Sequence, residues 1–211
     1  MTLATDNREM SPVARHIARS AARLFAERGY DATSVREIVE AAGVAKPTLY
    51  YYFRSKEGLA QALMTVPLAG LVAALRQFVT TEDNAIHCMQ RVLEAHYAFC
   101  REDPDRARFI YGLIFGPLRS QVAEDLEPLK AELLGWTEAA VRRLAEAGLV
   151  ARERLEGCSA VLRGLIVIST LDFLYGDRAL GRDLAVRQVD EVLSGFGFGN
   201  GRAREGLEGN K

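Results

Sequence analysis

The chain has 211 residues, 49% of them apolar, and a net charge of −1, enough to build a core in a small domain and a larger one. A protein basic throughout is excluded, yet Lys and Arg exceed Asp and Glu by nine to six over residues 1–56 and fall short by eighteen to twenty-two beyond them. Basic charge therefore gathers at the amino end, where a polyanion would be met.

Residues 1–10 are polar and carry no apolar stretch of the kind that opens a secreted chain. Ser11 is placed to cap a first helix, Pro12 suits its first turn, and Val13, Ile17, Ala21, Leu24 and Phe25 recur at helical spacing until Gly29 stops it. Ser34 and Glu37 have the spacing of a capping box, which starts a second helix with Val35, Ile38, Val39 and Ala42 on one face. Gly43 supplies the positive φ of a sharp stop. A third helix starts near Lys46, where Pro47 is tolerated because first-turn amides have no intrahelical partner, although Ala45 is a poor cap.

At 100° per residue, Leu49 and Phe53 of this third helix share one side, while Pro47, Thr48 and Tyr51 project from the other with Tyr50 and Tyr52 on its flanks. Two short helices crossing through a glycine turn form a helix-turn-helix, whose second member enters the major groove. Core packing alone demands neither the glycine turn nor the outward hydroxyl face.

The rest of the chain reads as helices. Ser55 caps a fourth helix to about Val79, which Pro67 should kink or divide. A fifth runs from about Thr81 to Arg101, a sixth from Asp103 and Pro104 to Gly116, and a seventh segment covers Ser120 to Ala147 with Pro128 near its start. An eighth, about Glu153 to Tyr175, is apolar on nearly every side, and a ninth runs from about Asp183 to Leu193. The predicted fold is all-α, with about nine helices. Residues 1–56 form a three-helix helix-turn-helix domain, residues 57–195 a larger helical effector-binding and dimerisation bundle, and 196–211 a glycine-rich flexible tail. The longest apolar run, Gly164–Thr170, is far short of the roughly 20 residues of a membrane span, so no membrane partner is expected.

Residues 12–60 resemble the DNA-binding domain of the TetR/AcrR family of transcriptional regulators: a long first helix, a Thr-Ser entry to the second, the Ala-Gly-Val turn, Thr-Leu-Tyr-Tyr-Tyr-Phe and Ser-Lys-Glu stand together in register. The resemblance implies that Lys46, Pro47, Thr48 and Tyr51 approach base edges. It implies phosphate contacts from the hydroxyls of Tyr50 and Tyr52 and from Lys56, and a guanine or backbone contact from Arg36. Tyr52 stands where many members have His. The function implied is a homodimeric regulator, by default a repressor, that binds a palindromic operator in double-stranded DNA and releases it when a small effector moves helix four.

Apolar eighth and ninth helices suit a two-fold four-helix bundle. Candidate residues lining an effector pocket are Met64, Met89, His96, Phe99, Phe109, Tyr111, Ile114 and Trp136. Without charge excess among them, an apolar or aromatic effector is expected. His96 and Cys100 share a helix face and His87 adjoins Cys88, but zinc needs three or four converging ligands, so no metal and no cofactor are expected. Three cysteines at unrelated spacings indicate a reduced cytoplasmic protein. An all-helical enzyme is the rival reading, and no nucleophile elbow, phosphate loop or HExxH supports it. A constitutive architectural DNA-binding protein is the second rival, but it would need no large acidic bundle.

Overall fold

The structure, a computed structural model, describes residues 10–116 and 121–196. Among these, nine helices of seven residues or more and one of four make an all-α protein, as the sequence predicts. They are α1 (Pro12–Arg28), α2 (Val35–Ala41), α3 (Lys46–Phe53), α4 (Lys56–Thr81), α5 (Ala85–Glu102), α6 (Pro104–Phe115), α7 (Gln121–Glu124), α8 (Glu127–Glu146), α9 (Leu155–Tyr175) and α10 (Leu184–Phe196). A 3-10 turn, Arg152–Arg154, precedes α9. The eighth and ninth helices of the sequence reading are α9 and α10. Pro117 and most of the 196–211 tail lie outside the described residues.

Local chemistry sets the boundaries. Ser11 Oγ accepts from Ala14 N at 3.1 Å, and Ser34 and Glu37 satisfy both halves of the capping box. Asn84 Oδ1 accepts from the amides of Ile86 and His87, which moves the start of α5 four residues past the Thr81 expected from the sequence. Asp103 caps α6 through Arg106 N. Pro67 does not divide α4: it lies inside one 26-residue helix, because one missing amide removes a single bond from a long ladder. Val13, expected on the buried stripe of α1, is exposed, and Ala14, Ala18 and Ala22 are buried instead.

Packing separates two compact units, Met1–Ala74 with Ala95–Leu134, and Leu75–Glu94 with Gly135–Lys211. The division falls within α4, α5 and α8. In the first unit α6 packs on α1, and Ile17, Ala21, Phe25, Ile38, Leu49 and Leu59 form the core. In the second, Leu75, Met89, Leu93, Val141, Leu144 and Leu162 are buried.

One expectation is corrected. By length and hydropathy α4, and α9 with the turn before it, are long and apolar enough to cross a membrane, because a helical window tolerates the Gly, Thr and Gln that interrupt a continuous run. Of these windows 44% and 33% of residues are buried within the fold.

Candidate nucleic-acid interface

Gly43 has φ +59°, the left-handed value that stops α2 and turns the chain toward α3. Leu49 and Phe53 are 0% and 6% exposed, against 80% for Tyr51 and 40% for Tyr50. Apolar anchoring of one side therefore displays the other. Lys46 and Pro47 are exposed, and Thr48 and Tyr52 are half-buried. The rings of Tyr51 and Tyr52 meet edge-to-face at 4.9 Å, and Lys46 Nζ lies 5.8 Å from the Tyr50 ring. Hydroxyls and an ammonium thus share one outward surface, with apolar rings to stack and donors for phosphate or base edges.

The entrance to α3 is soft. Ala45 gives no side-chain cap, and Thr48 N turns to Ala45 O at 2.9 Å. Arg36 on α2 is exposed and bonded to Glu40 at 2.7 Å, a pairing that holds its guanidinium more firmly protonated. Such a pair is weak and exchanges readily for a phosphate.

Lys56, for which the resemblance implies a phosphate contact, is partly enclosed. Its Nζ donates to Tyr30 O and Thr33 O, both at 3.0 Å, and lies 4.2 Å from the Tyr30 ring centroid. Gly58, the third residue of α4, is tightly enclosed. A Cβ there would meet Phe53 O at 2.2 Å. Sequence reasoning missed both, since their partners are backbone atoms of other segments.

The expected pocket residues are divided between the two units. Met64, His96, Phe99, Phe109, Tyr111 and Ile114 belong to the first unit, Met89 and Trp136 to the second. Met64 and Met89 are fully buried. Phe109 packs its ring 4.9 Å from Phe25 and 6.4 Å from Tyr30, which makes it a contact of α6 with α1. Phe99 carries the buried Arg106 guanidinium 4.7 Å from its centroid, and Trp136 faces Arg76 at 5.7 Å. Tyr111 pairs with Phe115. Burial lowers the His96 pKa to about 4 and keeps the imidazole neutral. Ile114 alone of the set lines a cleft of about 480 Å³, with Leu113, Leu126 and Lys130. Among the described residues no group of three His, Cys, Asp or Glu is placed to hold a metal.

Comparison with known proteins agrees with this geometry. The model of a family described as "Bacterial regulatory proteins, tetR family" matches residues 17–63, the span from α1 into α4. The transcriptional activator FasR of Mycolicibacterium smegmatis is 28% identical over 79% of this chain and 74% of its own length. The transcriptional repressor KstR2 of Rhodococcus jostii is 43% identical, but over 36% of this chain and 38% of its own. Among solved structures, KstR2 of Mycobacterium tuberculosis shares the fold with a TM-score of 0.74 at 20% identity, over 93% of this chain and 99% of its own. PfmR of Thermus thermophilus does so at 0.70 and 24%, over 87% and 97%. With an outward tyrosine face on the second helix of a helix-turn-helix, residues 17–63 form a DNA-binding domain of the tetR family of bacterial regulatory proteins, and the chain is a DNA-binding transcriptional regulator.

Proposed function

We propose that the protein is a homodimeric repressor that reads a palindromic operator through two copies of α3 and is released by an acyl thioester. The exposed Tyr51 beside buried Leu49 and Phe53 carries the DNA half of this reading. Lys46, Pro47, Thr48 and Tyr51 are assigned to base edges, Tyr50 and Tyr52 to phosphates, and Arg36 to a backbone contact after exchange with Glu40. Residues 1–56 then serve as the DNA-binding domain, and 57–195 bind effector and partner subunit.

The homodimer rests on α9 and α10. Val161, Ile168 and Tyr175 are exposed seven residues apart along α9, and Val186 is exposed on α10. An apolar line of that period outside the core suits a helix of a second copy. Three buried thiols fit a cytoplasmic protein.

Effector class is drawn from relatives with the same fold. One is solved in complex with isovaleryl coenzyme A and operator DNA, and another is titled a fatty acid degradation regulator. The cleft beside Ile114, about 480 Å³, sets Leu113 and Leu126 beside Glu124, Glu127 and Lys130; it is within the range of small-molecule sites and offers an acyl chain aliphatic surface and a thioester's polar end a cation. The test is fluorescence anisotropy on DNA from upstream of the gene, with acyl-CoA thioesters of increasing chain length. One length should lower operator affinity while free coenzyme A does not. Equal affinity with every thioester would remove this effector class and leave the DNA-binding reading intact.

A further inference from the structure

A tight corner joins α3 to α4. Arg54 has φ +66° and ψ −41°, and Ser55 N donates to Phe53 O at 2.8 Å across it. This is a γ-turn of the positive-φ kind, rare and strained for a residue with a side chain. The same Phe53 carbonyl crowds Gly58, which leaves no room for a Cβ. Such a corner keeps its shape only if the surrounding contacts hold it.

Lys56, the first residue of α4, makes those contacts. Two of its three ammonium donors are bound to Tyr30 O and Thr33 O, the carbonyls that frame the connection from α1 to α2. The Tyr30 ring covers a further side. That ring is itself held: it lies against Phe25 and Phe109, and its hydroxyl donates to Glu57 Oε1 at 3.2 Å. Burial, followed by the charge of Glu57, raises the phenol pKa, so the hydroxyl remains a donor. Thr33 in turn donates to Gly29 O at 2.8 Å. A lysine kept for a phosphate is solvated and unpaired; for Lys56 to reach one, it must uncap this connection.

We propose that Lys56 is a positioning residue for DNA recognition, which ties the α3–α4 corner to the α1–α2 connection through Tyr30 and sets the pose of α3 without neutralising a phosphate. The inference rests on the DNA-binding reading. It makes Tyr30, buried against Phe25 and Phe109, as important to binding as Lys56.

Salt dependence separates a positioning lysine from a phosphate contact, because each phosphate neutralised adds about 0.9 to the slope of log K against log salt. The full-length wild type, Lys56→Met, Lys56→Arg, Tyr30→Leu and the Lys56→Met/Tyr30→Leu double variant are titrated onto a duplex that the wild type has selected from a random pool. Melting temperatures are measured alongside. Positioning predicts that Lys56→Met lowers affinity about tenfold, lowers the melting temperature and leaves the slope unchanged. It also predicts that Lys56→Arg does not restore affinity and that the double variant loses no more than either single one, since both break one joint. A slope reduced by about 0.9 with an unchanged melting temperature, or affinity restored by Arg, overturns the proposal. If Lys56→Met does not fold, the Lys56→Arg comparison decides alone, since Arg keeps the charge but not the two-carbonyl geometry. A wild type that binds no duplex overturns instead the DNA-binding reading itself.

Discussion

Replacing Ala45 by Ser should stabilise the protein, which few substitutions do. Ala45 already has the extended backbone of a cap residue, φ −77° and ψ 147°, and lacks only the side-chain acceptor. The two capped helices of the same unit show what is missing: Ser11 Oγ and Ser34 Oγ each bind the third helical amide, while the cap carbonyl takes the fourth. In α3 the third amide, Thr48 N, uses the Ala45 carbonyl. A serine hydroxyl would take Thr48 N and release that carbonyl to Leu49 N. Caps are worth about 0.5–2 kcal/mol. Here the gain belongs at the low end, about 0.5–1 kcal/mol, because Thr48 N is not an orphan and Pro47 offers no amide to bind. For a chain of this size that raises the melting temperature by roughly 1–4 °C. If α3 opens locally, exchange of its amides slows by roughly two- to fivefold. Thermal melting and hydrogen exchange of Ala45→Ser are measured beside Ser34→Ala, which removes an existing cap and should lose about 1 kcal/mol. Ser34→Ala destabilising as expected while Ala45→Ser leaves both melting and exchange unmoved would refute the reasoning.

Four further outcomes follow from the same contacts. Gly58→Ala forces a Cβ against Phe53 O and should cost about 1–3 kcal/mol in a denaturant titration, and an unchanged midpoint would mean the corner relaxes freely. His96 has a folded pKa lowered to about 4, so as pH falls below 6.5 the unfolded chain takes up the proton first and stability declines until pH 4. At pH 5 this amounts to about 2 kcal/mol, absent above pH 7, and His96→Gln should show a correspondingly shallower acid loss in urea melts at pH 7 and 5. Ile168→Glu places a charge on the exposed line of α9 and should yield monomers by sedimentation while helicity is retained; an intact dimer would move the interface elsewhere. Tyr51→Ala, at the most exposed ring of α3, should weaken specific binding by about 1–3 kcal/mol and non-specific binding little, as read by competition with unrelated DNA.

The helix-turn-helix was legible in the sequence because its determinants are local. A capping box spans four residues, the glycine stop a single one, and the anchors Leu49 and Phe53 lie one turn apart. Long-range determinants were not legible. Lys56 meets carbonyls 26 and 23 residues away, and the Ser-Lys-Glu motif for which the resemblance implied a phosphate contact does not show those partners. Phe109 resembled pocket lining because an apolar residue at helical spacing does not say which helix it faces. It faces α1. Asn84 was overlooked as a cap because Thr81, Asp83 and Asn84 can all cap a helix and nothing local chooses among them, and α4 was expected to kink or divide at Pro67 because single-residue propensity ignores the rest of a 26-residue helix.

Selection from a pool of random duplexes by the purified protein tests most directly whether the outer face of α3 reads DNA twice per assembly. Two inverted half-sites should be enriched, with centres about 34 Å apart or a multiple of it and two protomers or a multiple of two per duplex, and Tyr51→Ala should fail to enrich them. An unenriched pool, a motif without dyad symmetry bound by single subunits, or the same motif enriched equally by Tyr51→Ala would contradict it.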